Sequence, residues 1–254
     1  MKSNSVTFSV RGILLDIEGT ISSLNYVREV LFPYARKHLL VALRRLWNEA
    51  EMERIRQELA QLHGSSDFES WTGGPGMPPE QRLRQMTDAL LKLMDQDAKV
   101  GPLKEIQGLI WRDGFQTGAL RSHVYPEVPR VLREWKHRGL DLRIYSSGSI
   151  EAQRQFFMHV DTGSETTTNL IGLINAHYDT TTGSKKEVES YRKITQSFQL
   201  PAKSILFLSD VVAELDAAQQ AGMKTAILCR PENAPVPETV MHPRVHSLDD
   251  VHIV

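Results

Sequence analysis

Apolar and polar positions follow two different rhythms along this chain. In the second half, short apolar runs alternate with stretches of helical period. Leu140 to Tyr145 and Ile205 to Leu208 read as buried strands, as does Gly12-Ile13-Leu14-Leu15 near the start. Val128, Val131, Leu132 and Trp135 mark a helix that ends near Gly139, and Glu151–Phe157 opens another. Asn175–Tyr178 predicts a short strand, then Val188, Tyr191, Ile194 and Phe198 a helix. Val212–Gly222 predicts a further helix and Thr225–Cys229 a strand. This alternation predicts an α/β fold with a mainly parallel sheet, whose ligands bind beyond the carboxyl ends of the strands.

Between the first strand and this region the rhythm is helical throughout. Tyr26 to Leu62 is rich in Arg, Glu, Leu and Ala, with Pro33 placed to open a helix. A break rich in Gly, Pro and Ser runs from Gly64 to Pro79. Leu83, Met86, Leu90 and Met94 then recur at helical spacing, as do Leu103, Ile106 and Ile110. A stretch of about a hundred residues without a strand is too long for an ordinary connection. We therefore expect an α/β core made of 1–24 and 122–254, with an all-helical domain, 25–121, inserted between.

Composition narrows the class. The 254 residues are 41% hydrophobic and 24% charged, a globular profile. A net charge of -1 gives no electrostatic footprint for nucleic acid or for a polybasic membrane contact. Cys229 stands alone, which excludes an intrachain disulfide and a cysteine-rich zinc site. Met1 to Arg11 lacks the apolar run of a secretory signal, and no segment approaches the roughly 18 apolar residues of a spanning helix. The expectation is a cytoplasmic monomer. His242, His246 and His252 lie in a proline-containing tail and are expected to face solvent.

The strand-like runs end in reactive groups. Gly12–Leu15 delivers Asp16, then Glu18, Gly19 and Thr20; Leu140–Tyr145 delivers Ser146-Ser147-Gly148-Ser149; Ile205–Leu208 delivers Ser209-Asp210. A carboxylate is costly in a strand core, but at a strand end it can hold a hard cation or attack phosphorus. Each motif has a plainer reading. Asp16 to Thr20 could be a turn, the serines and Ser209-Asp210 helix caps, and Lys185 and Lys186 solvated surface. Chain order favours chemistry: an aspartate, a hydroxyl-ended strand, a lysine, then an aspartate-ended strand.

With these motifs the chain resembles the haloacid-dehalogenase-like phosphohydrolases, and more narrowly the enolase-phosphatase (acireductone synthase) family of methionine salvage. Glu18 stands where most such phosphatases carry a second aspartate, and the run DIEGT is typical of enolase-phosphatases. Ile144 to Ser149 with Glu151-Ala152-Gln153, Gly183-Ser184-Lys185 with Glu189 to Ile194, and Phe207 to Val211 also match. The resemblance implies a Rossmannoid core with an inserted helical cap that covers the site. It implies Asp16 as nucleophile, Glu18 as acid and base, and Lys185, Ser146 and Ser147 on the phosphoryl group. Mg²⁺ would sit on Asp16, Glu18 (through its carbonyl) and Asp210, with Glu214 orienting metal-bound water. Lys185 is preferred to Lys186 because it directly follows Gly183-Ser184. The implied reaction converts 2,3-diketo-5-methylthiopentyl-1-phosphate to 1,2-dihydroxy-3-keto-5-methylthiopentene and phosphate. Met77, Met86, Trp71 and Trp111 are candidates for the methylthio pocket, with packing inside the insertion as the plainer role.

Overall fold

The structure is a computed structural model that describes residues 5–163 and 167–254. Strands β1 (Val6–Phe8) and β2 (Gly12–Leu15) come first, followed by a π-wound turn, Tyr26–Leu31. Helices α1 (Phe32–Leu46), α2 (Ala50–Leu62), α3 (Phe68–Trp71), α4 (Pro79–Asp95) and α5 (Gly101–Gln116) follow. The chain continues through α6 (Val128–His137), β3 (Asp141–Tyr145), α7 (Ile150–Met158), β4 (Ala176–Tyr178) and α8 (Val188–Phe198). It ends with β5 (Ile205–Ser209), α9 (Val212–Gln220), β6 (Lys224–Leu228), β7 (Arg244–Val245) and β8 (Val251–Ile253). The chain divides into two compact units, one formed by the segments up to Val27 and from Leu120 onward, the other by Arg28–Ala119.

In the first unit six strands form a parallel sheet in the order β4-β3-β2-β5-β6-β7. The chain leaves β2 to one side for β3 and β4, then returns to the other side for β5. The order therefore reverses around β2, the place where open parallel sheets bind ligands. Ile13, Leu14 and Leu15 are fully buried, as expected for a central strand covered on both faces. Each such side chain contributes about 1.5–3 kcal/mol of burial free energy. Strands β1 and β8 form a separate parallel pair that the apolar pattern does not reveal, because each is only a few residues long.

The second unit is helical throughout. Leu39, Leu43, Met52, Ile55, Met86 and Ile106 form its buried core. Pro33 sits in the first turn of α1, where its missing N–H costs nothing. Met86 is fully buried, Trp71 and Trp111 pack on the same core, and the Trp111 indole donates to the Leu31 carbonyl at 2.8 Å. These three are packing residues of the unit.

His246 and His252 are exposed as expected, but His242 is only 4% exposed, which corrects the solvent-facing expectation. Its Nδ1 lies 2.8 Å from Thr225 Oγ1 on β6 and its Nε2 lies 2.9 Å from Asp216 Oδ1 on α9. The imidazole satisfies the buried Thr225 hydroxyl, so its removal strands a polar atom away from water. His242→Leu should lower unfolding free energy by about 1–3 kcal/mol. Adding Thr225→Val should recover part of the loss in denaturant titration; a double variant no more stable than the single one would refute the pairing.

Candidate active site

Three adjacent strand ends build the site. Leu15 of β2 stands level with Ile144 of β3 and Leu208 of β5. Asp16 is the next residue on the central strand, and its N–H donates to the Leu208 carbonyl at 3.0 Å. Ser146 and Asp210 leave the flanking strands one position further on. Asp16 and Ser146 are buried, at 4% and 3% exposure.

Beyond Asp16 the chain closes a tight turn. The N–H groups of Ile21 and Ser22 both donate to the Ile17 carbonyl at 2.9 Å, and Gly19 N–H donates to Ser22 O at 2.8 Å. Glu18 lies in this turn and is bridged through its main chain to Ser22. Gly19 has φ +71°, and a Cβ there would lie 2.3 Å from Asp210 Oδ2. Only glycine permits both that backbone conformation and that approach.

Lys185 reaches this cluster from the loop before α8. Its Nζ lies 2.7 Å from Asp16 Oδ1 and 2.7 Å from Glu214 Oε2. Two buried phenols hold the loop: Tyr145 Oη donates to Gly183 O at 3.0 Å, and Tyr191 Oη to Lys185 O at 2.7 Å. Burial raises both phenols above their ordinary pKa, so both remain donors. Gly183 has φ +146° with Ser190 Oγ where a Cβ would stand. Lys186 is exposed. Glu214 contacts Lys185 and also accepts from Ser209 Oγ at 3.0 Å, two partners that the sequence does not reveal.

The site is rich in negative charge. Asp16, Asp210 and Glu214 are set against the single ammonium of Lys185. Burial and then the Asp16 charge push Asp210 up to about 7. Burial and the same neighbour also raise Glu214. Burial alone would lower Lys185, but Asp16 and Glu214 more than offset it and hold the ammonium above its ordinary pKa. Among the described residues no cluster of three or more His, Cys, Asp or Glu side chains is arranged to hold a metal. The Asp16 and Asp210 carboxylates are close enough to act on each other electrostatically, and carboxylate oxygens are the donors that a hard divalent cation prefers.

The serine loop divides its labour. Ser149 caps α7, its Oγ accepting from Ala152 N–H at 3.2 Å, so capping does not occupy Ser146 or Ser147. Ser146 Oγ accepts from Gly148 N–H at 3.3 Å, and Ser147 is exposed. Gln153 fixes the loop from below: its Nε2 donates to Gly148 O at 2.8 Å and to Tyr178 O at 2.9 Å. Its Oε1 accepts from His177 Nδ1 at 3.1 Å. Burial, helped by Arg154, lowers His177 from 6.5 to about 4. Gln153 falls in the run Glu151-Ala152-Gln153 that matches the family, but its bonds do not show in the sequence, and His177 is missed because a lone polar residue in a strand carries no periodic signal.

Residues 10–222 match the family described as haloacid dehalogenase-like hydrolase. The chain is 37% identical over 242 residues to Enolase-phosphatase E1 of Persephonella marina, covering 95% of this chain and 98% of that one. It is 41% identical over 243 residues to Enolase-phosphatase E1 of Pseudomonas aeruginosa, covering 96% and 98%. The crystal structure of UTR4 protein from Saccharomyces cerevisiae superposes with a TM-score of 0.76 at 30% identity, covering 94% of this chain and 98% of that one. Parallel sheet, reversed strand order and carboxylates at the strand ends define a haloacid-dehalogenase-like hydrolase, and the chain belongs to that family. Within it, the chain belongs to the enolase-phosphatases.

Gly19→Ala should lower turnover by about a hundredfold or more, since displacing a reacting group by an ångström has that effect. Steady-state kinetics on protein shown to be folded by circular dichroism would measure it; near-normal turnover would mean the turn relaxes freely. His177 gives a pH test. Its folded pKa is depressed, so the unfolded chain takes up its proton first as pH falls below 6.5. The associated stability is fully present above 6.5 and is lost progressively towards about 4. In His177→Gln, melting temperature should fall less steeply across that window than in the parent; equal slopes would contradict the assignment.

Proposed function

We propose that this chain is a phosphoric monoester hydrolase acting on 2,3-diketo-5-methylthiopentyl-1-phosphate, enolising it and then removing phosphate to give 1,2-dihydroxy-3-keto-5-methylthiopentene. The observation that carries the hydrolytic part is the Lys185 ammonium 2.7 Å from Asp16, at the strand end beside Asp210. The substrate and the enolisation rest on membership of the enolase-phosphatases.

In this reading Asp16 attacks phosphorus as an ionised carboxylate, which needs no base to become a nucleophile. The new bond joins an Asp16 carboxylate oxygen to phosphorus, and the bond from phosphorus to the substrate oxygen breaks. Glu18 gives its proton to the departing oxygen. It then takes a proton from the water that attacks phosphorus, which breaks the aspartyl-phosphate and frees the Asp16 carboxylate. Lys185 neutralises the phosphoryl oxygens, and Ser146 and Ser147 donate hydrogen bonds to them. Asp16, Asp210 and the Glu18 carbonyl would hold Mg²⁺, which supplies neutralisation of charge on the phosphoryl group and on an adjacent enolate.

The substrate is a small molecule, so the reading requires no nucleic acid or membrane partner. Among the described residues no helix is long and apolar enough to cross a membrane. We place the activity in the cytoplasm and assign it to a monomer.

Incubation with the diketone phosphate and Mg²⁺, following enediol absorbance and free phosphate together, tests the assignment. Both should appear in equal amounts. Asp16→Asn should lower phosphate release by about a thousandfold or more, with enediol product lost in parallel. Phosphate release from simple esters without any enediol signal would overturn the substrate while leaving the hydrolase. Undiminished release by Asp16→Asn would overturn the covalent role.

A further inference from the structure

The loop that follows β6 reaches back to the turn carrying Glu18. Arg230 is 6% exposed, and its guanidinium is occupied on every side. Nε and Nη2 both donate to the Thr20 carbonyl, at 3.1 and 2.9 Å. Nη2 also donates to Glu127 Oε1 at 2.7 Å, and Nη1 to His246 O at 3.1 Å. The face of the group stacks on Tyr125, 3.8 Å from the ring centroid. Asn233 donates from Nδ2 to Gly19 O at 2.8 Å and to Leu228 O at 3.0 Å. Glu232, between them, accepts from Ser23 Oγ at 3.3 Å and from Tyr125 Oη at 3.1 Å.

The carbonyls held in this way are those of Gly19 and Thr20, next to Glu18. The opposite side of Gly19 lies against the Asp210 carboxylate. The turn thus has the Asp210 carboxylate close to Gly19 and side-chain donors on its carbonyls. A rigid planar fork suits such a clamp, because two of its N–H groups converge on one carbonyl while the others anchor it to distant segments. Lysine, with a single flexible point charge, could not make the same set of contacts.

We propose that Arg230 and Asn233 are positioning residues that fix the main chain of the Gly19–Thr20 turn, and through it the placing of Glu18 and Asp210 for the reaction. This rests on the function proposed above for its catalytic consequence, but not for its structural one. A staple that served only stability would lower the melting temperature and leave turnover per folded molecule unchanged.

Asn233→Leu keeps the number of side-chain heavy atoms and removes both donated bonds; Arg230→Lys keeps the charge and loses the fork. Hydrogen exchange and kinetics on the full chain test both variants. Amide exchange of Ile21 and Ser22 should accelerate about tenfold or more in Asn233→Leu, with β2 amides unchanged. Turnover of the diketone phosphate should fall about tenfold or more, with KM changed less than threefold. Arg230→Lys should fall between that variant and the parent in both readouts. Arg230→Met is the more severe change, because it leaves Glu127 without its charged partner; Asn233→Leu keeps the test available should that variant fail to fold. Unchanged exchange at Ile21 and Ser22 would overturn the clamp, and so would faster exchange with turnover within twofold of the parent. A parent protein inactive on the diketone phosphate would defeat the proposed function alone, since exchange still reads the clamp.

Discussion

The Lys185 ammonium, shared between Asp16 and Glu214, is the interaction on which the rest of this site depends. Burying a carboxylate without a partner costs several kcal/mol, and three carboxylates converge here. One buried cation cannot neutralise them all. It can stabilise two at once only if its nitrogen is held between them, and much of the neighbouring architecture follows from that need. Tyr145 and Tyr191 hold the carbonyls of Gly183 and Lys185, Gly183 supplies a conformation closed to other residues, and Ser209 occupies a further Glu214 lone pair. An ammonium divided between two carboxylates screens each less than it would screen one.

The parallel sheet explains why so many polar groups can meet without disrupting a core. Neighbouring strands end at the same level, so side chains from residues widely separated in sequence converge beyond the carboxyl ends. Their apolar runs stay buried while the polar residues begin one step later. The difficulty passes to the main chain of the loops, whose carbonyls leave the ladder and need donors. In this protein several of those donors are side chains: Gln153 for Gly148, Arg230 for Thr20, Asn233 for Gly19.

That division sets what the sequence can reveal. The central strands and most helices are legible because burial writes a period, and Asp16, Ser146 and Asp210 are legible because each ends such a run. Lys185 is separable from Lys186 by its place after a glycine that the structure finds at positive φ. Glu214 stands out by its spacing from Asp210, but its bond to Lys185 does not, since spacing along one helix does not say which loop faces it. The π-wound turn, β1 and β8 are too short to show a period. His242 reads as a tail residue in solvent because nothing local marks a side chain that closes on a strand and a helix earlier in the chain.

Arg230 is the clearest case of information the sequence holds but does not display. It is separated from Thr20 by 210 positions, and an isolated arginine after a strand looks like solvated surface. Its importance comes from the geometry of what it touches. A carbonyl in a turn beside Glu18 and Asp210 cannot shift without moving them, whereas a carbonyl in the middle of β2 is already held by its neighbours on both sides. The segment after β6 is therefore tied to that turn through the Arg230 guanidinium, which holds its main chain. Where charge must be concentrated at a strand end, the parts that make the arrangement durable are drawn from the distant loops that satisfy its backbone.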